Sequence, residues 1–380
     1  MPDTNFTHPM RTWEDILTIV SGKNQKNVET DNGQYPIYGS GGIIGRANAF
    51  LCEAGTTIVG RKGTINSPIY VSERFWNVDT AFGIVPGPEL LPKFLYYFCR
   101  HFNFKDLDKS TTIPSLAKRD LLAIKMVVPP LPEQERIVAR IEELFSELDK
   151  AVETLNTTKQ QLAVYRQAVI STSFPELTSS NSVRLDEIAE ISGGITKGRD
   201  LSQQKTITLP YLRVANVQNG YLDLSQMKDI EVKLNEVDKY LLQEGDVLYT
   251  EGGDRDKLGR GTVWKNEIPR CVHQNHVFKA RLNQERALPQ YVAYWSMSVY
   301  ARDYFFKKGK QSVNLASINK TVLSALILPM PSLEEQASII NNIESRLSVC
   351  DQIEKTIEQS LQQAEALRQS ILKQAFEGRL

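Results

Sequence analysis

Hydrophobic residues recur at alternating steps of three and four along two long stretches of the chain. This spacing puts them on one face of an α-helix, close to the heptad pattern of helices that pack along a shared seam. In the first stretch the apolar stripe consists of Ile137, Ile141, Leu144, Leu148, Val152, Leu155, Leu162, Tyr165 and Val169. In the second stretch it consists of Ile339, Ile343, Leu347, Cys350, Ile353, Ile357, Leu361, Ala364, Leu367 and Ile371.

The two stretches are copies of one segment. Each begins with prolines and an acidic first turn, and residues at matching places stand 202 positions apart. The pairs that keep this offset include Gln134 and Gln336, Ile137 and Ile339, Ile141 and Ile343, Arg166 and Arg368, and Phe174 and Phe376. We therefore predict two halves that each end in a long helix. The predicted boundaries are residues 1–128 and 176–328 for two globular domains, and residues 129–175 and 329–380 for two spacer helices.

The link between the first helix and the second domain indicates how the helices pack. About 40 residues at ~1.5 Å each make a helix roughly 60 Å long. About ten residues join Phe174 to Leu185, and they reach at most ~35 Å, too short to return along the helix. We therefore expect an α+β fold with two globular α/β domains, related by pseudo-two-fold symmetry and separated by an antiparallel coiled coil. A coiled coil that serves only dimerisation also fits the heptads.

Short patterns within the halves predict local elements. Helical spacing predicts short helices over Trp13–Ser21 and Leu185–Ile191. Residues typical of β-structure predict strands at Thr56–Gly60 and Trp76–Val85. The glycine-rich run Tyr35–Gly45 lacks the spacing and the lysine of a phosphate-binding loop, so a turn between strands is favoured over a nucleotide site.

Several of these patterns have counterparts in the other half. The predicted pairs are Ala54–Gly55 with Glu244–Gly245, Gly60–Thr64 with Gly259–Thr262, Asp79–Phe82 with Asn275–Phe278, and Leu91–Phe98 with Leu288–Trp295. The last pair predicts a helix with proline in its first turn. Together the pairings imply about nine extra residues in the second half, at Thr250–Leu258, which we expect to form a charged surface loop.

Composition limits the class of protein and the cellular compartment that we expect. A chain of 380 residues with 41% hydrophobic and 24% charged residues suits two folded domains. No apolar run reaches the ~18 residues of a membrane span, and the N-terminus lacks a signal-peptide pattern. Four scattered cysteines indicate a reduced, cytoplasmic setting. With 45 basic and 45 acidic residues, adhesion to nucleic acid by the whole surface is disfavoured, whereas local basic faces are allowed.

Two similar domains on a two-fold spacer suit duplex DNA, which has local two-fold symmetry. Because the domains differ in sequence, we expect a bipartite, non-palindromic target whose gap the spacer fixes. Basic side chains bind phosphates and guanine edges, and amides suit adenine. The basic candidates are Arg46, Arg61, Lys62, Lys118 and Arg119, then Lys197, Arg199, Arg213, Arg255, Lys257, Arg260, Lys307, Lys308 and Lys310. The amide candidates are Asn216, Gln218, Gln274, Asn275 and Gln311. Each one alone is more often a solvated surface residue, so the prediction rests on the clusters.

Several motifs resemble those of the specificity subunit of type I restriction-modification systems. In the first half they are Tyr35–Gly42, Asp79–Phe82, Phe94–Phe98 and the helix start Pro129–Ile137. In the second half they are Tyr211–Gln218, Glu244–Leu248 and Leu258–Arg260. The resemblance covers essentially the whole chain. The duplicated helix starts, rich in proline and followed by Glu-Gln, are its most specific part.

The resemblance implies a non-catalytic subunit whose two target-recognition domains read the two halves of a split site in double-stranded DNA. It also implies that the spacer helices bind two methyltransferase (modification) subunits, which restriction (translocase-nuclease) subunits join, in a bacterial or archaeal cytoplasm. No cofactor is expected on this chain, because S-adenosylmethionine, ATP and magnesium belong to those partners, as do adenine methylation and ATP-dependent cleavage. The family's base-contacting residues follow no fixed motif, so none is transferred.

Sequence motifs of catalysis are missing. The nearest match to the Asn/Asp-Pro-Pro-aromatic tetrad of adenine methyltransferases, Asn66–Tyr70, lacks tandem prolines and is interpreted as a turn before a strand. There is no P-loop. Cys271, His273 and His276 lack a fourth zinc ligand, so neither a metal site nor a catalytic residue is predicted. Two other functions stay open: a coiled-coil assembly or adaptor protein without DNA contact, and a stand-alone enzyme such as a methyltransferase.

Overall fold

A computed structural model describes residues 8–253, 258–311 and 316–380, and of Gln311 it describes only the backbone. The chain forms two compact units. Unit 1 combines the residues up to Asn156 with Ile357–Leu380, and unit 2 is Thr157–Thr356. Each unit therefore contains its own part of both long helices.

The described part of unit 1 contains three small sheets. Its strands are β1 (Met10–Thr12), β2 (Leu17–Ser21), β3 (Tyr35–Gly39), β4 (Gly42–Ala47), β5 (Thr56–Gly60), β6 (Ile69–Val71), β7 (Trp76–Asn77), β8 (Ala81–Pro86) and β9 (Lys125–Val127). The sheet orders are β2-β8-β5-β6, β4-β3-β7 and β1-β9. Its helices are α1 (Trp13–Ile16), α2 (Pro92–His101), α3 (Lys118–Leu122) and the start of α4 (Leu131–Thr172). Trp13, Phe94 and Phe104 are fully buried in its core.

Unit 2 repeats this arrangement. Its strands are β10 (Ser182–Arg184), β11 (Ala189–Gly193), β12 (Thr206–Leu212), β13 (Lys228–Lys233), β14 (Val247–Thr250), β15 (Gly252–Gly253), β16 (Gly261–Val263), β17 (Val272–His273), β18 (Val277–Leu282), β19 (Lys310–Gln311), β20 (Ala316–Ser317) and β21 (Ile327–Pro329). Its helices are α5 (Val237–Tyr240), α6 (Pro289–Met297), α7 (Val299–Lys308), α8 (Lys320–Ser324) and the start of α9 (Leu333–Phe376). The orders β11-β18-β14-β16, β13-β12-β17 and β10-β21 match those of unit 1, and β15-β20-β19 is added.

Matching hydrogen bonds identify equivalent positions in the two units. Trp13 donates its backbone N–H to the carbonyl of Ile124 at 2.9 Å, and Leu185 donates to that of Leu326 at 2.8 Å. The sheets β4-β3-β7 and β13-β12-β17 each combine one antiparallel and one parallel strand pair. The pseudo-two-fold repeat is therefore present in the strand topology as well as in the sequence.

The two long helices pack antiparallel within unit 1. Asp149 of α4 forms an ion pair with Arg368 of α9. Arg136, earlier in α4, donates to the carbonyl of Leu380, beyond the end of α9, at 3.2 Å. Residues nearer the start of α4 therefore contact residues nearer the end of the chain. The last turns of α9 also supply Ile371 to the unit 1 core.

Unit 2 shows the same antiparallel packing. Arg166 of α4 pairs with Asp351 of α9 at 2.6 Å and with Glu354 at 2.9 Å. The ion pair between Arg166 and Asp351 is the sequence repeat of the pair in unit 1, because both of its members lie 202 positions from theirs. The prediction of an antiparallel coiled coil is confirmed.

The aromatic residue at the end of each helix copy packs on a globular helix. The ring of Phe376 lies 5.1 Å from that of Phe94 in α2. The ring of Phe174 lies 5.1 Å from that of Trp295 in α6. Such aromatic contacts fix the helix ends to the globular part of each unit.

A buried glutamine joins the start of each long helix to the same unit. The Oε1 atom of Gln134 accepts a hydrogen bond from the backbone N–H of Leu91 at 2.8 Å, and its Nε2 donates to the carbonyls of Glu89 and Pro129, both at 2.8 Å. Gln336 repeats the pattern with Leu288, Arg286 and Pro331, at 2.9, 3.1 and 2.9 Å. Both side chains are fully buried, which explains why the repeat keeps glutamine here.

The segment that opens each half contains less helix than its spacing predicts. Only α1 is helical in Trp13–Ser21, and β2 follows it at once. In Leu185–Ile191 a 3₁₀ turn over Leu185–Glu187 precedes β11. The prediction of helices over both ranges is wrong beyond the first turn. Leu17 and Ile19 are buried while Thr18 between them is exposed, so a period of two fits these residues as well.

The predicted pairing of Gly60–Thr64 with Gly259–Thr262 is wrong. Arg61 donates its backbone N–H to the residue just before β8 at 2.8 Å, and Glu251 makes the matching bond to the residue just before β18 at 3.0 Å. Arg61 is therefore equivalent to Glu251. A Gly-Arg pair occurs in both halves, but it follows β5 in unit 1 and precedes β16 in unit 2.

The length of the predicted insertion changes with this alignment. Residues 61–68 join β5 to β6, and residues 251–260 lie between β14 and β16, so the two connections differ by two residues rather than nine. Part of the predicted Thr250–Leu258 loop, residues 254–257, lies outside the described residues.

The predicted apolar stripes are mostly, but not fully, covered. Ile141 and Ile343 are completely buried. Buried with them are Ile137, Leu162, Val169, Cys350, Ile357, Ala364 and Ile371, and half-buried are Leu144, Leu148, Val152, Leu155, Ile339, Leu347 and Leu361. Tyr165, Ile353 and Leu367 are exposed, at 47%, 39% and 47%. A straight helix drifts relative to a repeat of 3.5 residues, so a sequence stripe does not stay on one contact face.

Candidate nucleic-acid interface

Three of the basic candidates in unit 1 line one surface depression of about 380 Å³. Arg61 and Lys62 follow the end of β5, and Lys118 begins α3. The depression is lined by Ser21, Arg61, Lys62, Phe82, Ser115, Leu116, Ala117 and Lys118. Bridge pairing between Lys62 and Ser115 brings these two chain segments together. The fold thus collects cations from distant parts of the sequence.

Internal contacts orient two of these cations. The Arg61 guanidinium donates to the Asp79 carbonyl at 3.3 Å and lies 5.8 Å from the centre of the Phe82 ring. The Lys118 ammonium donates to the carbonyl of Ile19 at 2.7 Å. Both groups keep donors beyond these bonds, which phosphate oxygens can accept.

The other two basic candidates of unit 1 lie outside the lining of the depression. Arg119 has a side chain that is 89% exposed and lies 3.6 Å from the carboxylate of Asp120. Arg46 is exposed on β4. The turn before β4 contains Ser40, which lies against Gly60 at the end of β5 and near Gly63 in the loop that follows. The hairpin that carries Arg46 therefore adjoins the loop that carries Arg61.

Unit 2 places basic candidates around the equivalent strands. Gly252 pairs with Ser317, as Lys62 pairs with Ser115 in unit 1. Lys310 pairs with the same Ser317 from the other side. The lysines Lys307 and Lys308 end α7 just before this strand, and all three lysines are exposed. Asp303 forms an ion pair with Lys307 at 2.6 Å.

Several candidates of unit 2 serve internal contacts. Asn216 is 2% exposed, its Oδ1 accepts from the backbone N–H of Arg213 at 3.0 Å, and its Nδ2 donates to the Asp223 carbonyl at 2.8 Å. Asn216 therefore fixes a turn instead of offering its amide to a base, which corrects its predicted role. Arg199 pairs with Glu236 at 2.7 Å.

The other described candidates of unit 2 are half-buried or exposed. The Arg213 guanidinium donates to the carbonyl of Gln226, and Arg260 donates to the Oε1 atom of Gln218 at 3.0 Å. Lys197 is exposed, and Gln274 and Asn275 are half-buried. Arg255 and Lys257 lie outside the described residues, and for Gln311 only the backbone is described.

One basic residue, at a position equivalent to a candidate of unit 1, was not among the predicted candidates. The backbone N–H of Leu116 bonds to the carbonyl of Arg61, and that of Ile318 bonds to the carbonyl of Glu251, at 2.9 and 2.8 Å. These bonds make Lys320, the first residue of α8, the counterpart of Lys118. The same offset that relates the long helices relates these two lysines, so extending the repeat upstream predicts Lys320 as a candidate.

The groups that suggested other chemistry have structural partners. The Nδ1 atom of His273 lies 2.6 Å from the carbonyl oxygen of Val277, and that of His276 lies 2.6 Å from a carboxylate oxygen of Glu251. Burial raises the pKa of the Cys271 thiol to about 12. In residues 8–253, 258–311 and 316–380, no three His, Cys, Asp or Glu side chains are arranged to hold a metal ion.

The segment compared with a methyltransferase tetrad forms a turn. The Oδ1 atom of Asn66 accepts from the backbone N–H of Phe104 at 2.7 Å, and β6 begins three residues later. This agrees with the interpretation of Asn66–Tyr70 as a turn before a strand.

The duplicated sheets, the antiparallel helices and the basic residues at equivalent strands define a two-unit protein with one candidate interface on each unit. The chain belongs to the family described as "Type I restriction modification DNA specificity domain", whose profile matches residues 9–162 and 179–363. No described helix is both long and apolar enough to cross a membrane.

Similar proteins carry specificity in their names. The chain is 25% identical over 272 residues to the type I restriction enzyme EcoKI specificity subunit of Escherichia coli (strain K12), a match that covers 68% of this chain and 58% of that subunit. It is 24% identical over 312 residues to the StySPI specificity subunit of Salmonella potsdam, covering 78% of this chain and 67% of that subunit. The chain thus spans between about one half and two thirds of these relatives.

Two solved structures share the fold. One comes from work on complex assembly and conformational transition of the type I R-M system, with a TM-score of 0.73, 17% identity and 98% coverage of both chains. The other is the HsdS subunit from Thermoanaerobacter tengcongensis, with a TM-score of 0.57, 16% identity and coverage of 100% of this chain and 98% of that one. The predicted fold class is confirmed.

Proposed function

We propose that this chain is the non-catalytic DNA sequence-specificity subunit of a type I restriction-modification complex. Each unit reads one half of a bipartite, asymmetric site in duplex DNA, and the long helices carry methyltransferase subunits. The observation that carries the proposal is the recurrence of a basic surface at equivalent strands of two units whose side chains differ. Lys118 and Lys320 are equivalent residues, and Lys62 and Lys310 each pair with the equivalent serine, Ser115 in unit 1 and Ser317 in unit 2.

The division of labour between surface residues follows from their chemistry. Cations contact phosphates of any sequence and fix the protein's position on the duplex, whereas base edges supply the sequence information. Equivalent cations therefore suit the shared task, and the differing neighbours suit two different half-sites. The family assignment and the names of the specificity subunits that resemble the chain support this interpretation.

The catalytic activities belong to partner subunits in this proposal. Two methyltransferase subunits, one for each copy of the helix repeat, methylate adenine with S-adenosylmethionine. Restriction subunits translocate and cleave DNA with ATP and magnesium. The chain itself supplies the address and the scaffold, and it binds none of these cofactors.

The test is to map methylated positions in DNA from cells that express the chain with its cognate methyltransferase subunit. The expected result is one split consensus with a gap of fixed length. Replacing residues 1–128 by the matching domain of a relative should change one half-site and leave the other half-site and the gap unchanged. An uninterrupted consensus, or a complex that assembles without any consensus, contradicts the proposal, and the second outcome favours an adaptor protein.

A further inference from the structure

Three isoleucines on the surface of unit 1 are unusually exposed. Ile43 and Ile44 lie on β4, just after the turn from β3, and their exposed fractions are 62% and 55%. Ile113 lies in the loop before α3 and is 63% exposed. Grouped apolar exposure on a folded protein marks a surface that contacts something else.

Contacts between three loops join these isoleucines to the basic depression. An added Cβ on Gly60 would lie 3.1 Å from the Cβ of Ser40, and one on Gly63 would lie 3.8 Å from the Oγ of Ser40, so the hairpin turn touches the loop of Arg61. The backbone N–H of Gly63 donates to the carbonyl of Pro114 at 2.9 Å. The hairpin and the loop that carry the isoleucines therefore both contact the loop that carries Arg61 and Lys62.

The ends of the loop that carries Ile113 are joined by hydrogen bonds to Asp108. The Oδ1 atom of Asp108 accepts hydrogen bonds from the backbone N–H and the hydroxyl of Ser110, at 3.0 and 2.7 Å, and from the backbone N–H of Ser115 at 3.1 Å. These bonds tie the two ends of the loop together. A surface fixed before binding loses less entropy when a partner arrives.

The hairpin turn leaves room for a partner at its tip. Among the described residues, no atom outside the adjacent chain positions lies within 4 Å of where a Cβ would stand on Gly41 or Gly42. Gly42 also has a φ of 129°, which favours glycine. A ligand can therefore approach the backbone closely beside Ile43.

The charges around the isoleucines identify the kind of partner. Arg46 lies on the same strand as Ile43 and Ile44, and Arg61, Lys62 and Lys118 line the adjoining depression, a set that complements a phosphate backbone. Isoleucine gains nothing from phosphates, so a role on DNA requires an apolar group on the bases. In the major groove that group is the C5-methyl of thymine.

We propose that Ile43, Ile44 and Ile113 read thymine methyl groups in the half-site that unit 1 recognises. This inference rests on the proposed function and deepens it. It predicts that this half-site contains thymine at one or more positions, and that binding there depends on the methyl group rather than on hydrogen bonds alone.

The test uses the full chain in complex with its methyltransferase subunits and a duplex with the mapped target site. Each thymine of the half-site that depends on residues 1–128 is replaced in turn by 2′-deoxyuridine, which removes only the methyl group. We expect Kd to rise about fourfold at one or more positions, the effect of one buried methyl group.

Variants then assign the effect to the isoleucines. In Ile43→Ala, Ile44→Ala or Ile113→Ala, binding to the thymine duplex weakens. The uracil penalty, which is the rise in Kd caused by 2′-deoxyuridine, disappears at the matching position. Ile44→Val keeps most of that penalty. Leu234→Ala removes an aliphatic side chain that is 51% exposed in unit 2, and it should leave every uracil penalty of this half-site unchanged. The isoleucine variants should not alter uracil effects in the other half-site.

The remaining outcomes decide against the inference. If the alanine variants weaken thymine and uracil duplexes equally, the isoleucines act as wedges between base steps and do not read methyl groups. If the complex binds a split site tightly but uracil has no effect, methyl reading is refuted and the proposed function stands. If no specific binding occurs at all, the proposed function and the methyl-reading inference are both refuted.

Discussion

Asn77 and His273 occupy equivalent buried positions in the two units, and each side chain binds a carbonyl four residues further along. Asn77 donates from Nδ2 to Ala81 at 3.1 Å, and the Nδ1 atom of His273 lies 2.6 Å from the carbonyl oxygen of Val277. A carbonyl only accepts, so His273 carries its proton on Nδ1. Its Nε2 atom is buried without a hydrogen-bond partner among the described residues.

The burial of His273 makes unit 2 sensitive to pH. Burial lowers its pKa from the usual 6.5 to about 4. The unfolded chain therefore takes up a proton below about pH 6.5 that the folded chain refuses until about pH 4. The free energy of unfolding is therefore unaffected by the titration of His273 above about pH 6.5, and it decreases as the pH falls through this window. The decrease is roughly 2 kcal/mol between about pH 7 and pH 5.

The variant His273→Asn copies the residue of unit 1 and tests this prediction. The amide keeps a donor for the Val277 carbonyl but cannot titrate. Urea unfolding of both proteins at about pH 7 and pH 5 should show that the wild type loses roughly 2 kcal/mol more than the variant. Equal losses in the two proteins would mean that His273 does not carry the pH dependence.

For individual residues, some roles could be predicted from the sequence and others could not. The offset of the repeat already singled out Gln134 and Gln336, although nothing in the spacing reveals that both are buried. Asn216 looked like a base reader because an amide in a polar segment suits either task. Its burial depends on a turn that only the folded chain closes.

Elements with many residues in register were predicted most accurately. The long helices and the β3–β4 hairpin follow from periods that persist over whole segments, or from glycines that favour one turn. The opening helices failed beyond their first turn, since four apolar residues in a short run fit both periods. Pairing with β8 and β18 decides between them, and such long-range contacts are not visible in a local pattern.

The junction between each long helix and its globular part depends on one glutamine. In Gln134→Ala, one buried and two part-buried backbone groups lose their partner, and we expect local stability to fall by about 3 kcal/mol. Hydrogen exchange with mass spectrometry should show faster exchange around Leu91 and the first turns of α4. The matching peptides around Leu288 should not change.

Two controls separate this effect from a general loss of helix stability. Gln336→Ala should produce the mirror result, with faster exchange around Leu288 and unchanged exchange around Leu91. Gln161→Ala removes an exposed glutamine from the same helix and should leave both junctions as they are. If Gln134→Ala or Gln336→Ala speeds exchange in both units, the idea that each glutamine anchors only its own unit is contradicted.

For the whole molecule, the two long helices are the elements that both units share. Each helix begins in one unit and ends in the other. The related ion pairs Asp149–Arg368 and Arg166–Asp351 fix their register within the two units. A change in helix length that keeps this register alters the connection between the units but none of the residues that contact DNA in the proposal.

Deleting one heptad from each helix, residues 155–161 and 356–362, is the direct test of the spacer. Seven residues correspond to ~10.5 Å of helix, so the gap in the methylated consensus should shorten by up to about three base pairs. Both half-site sequences should stay the same. Deleting residues 155–161 alone shifts the register between the two ion pairs and should destabilise the protein instead. If the half-sites change and the gap does not, the helices do not set the spacing. In that case the deletion would have altered the surfaces that read the bases.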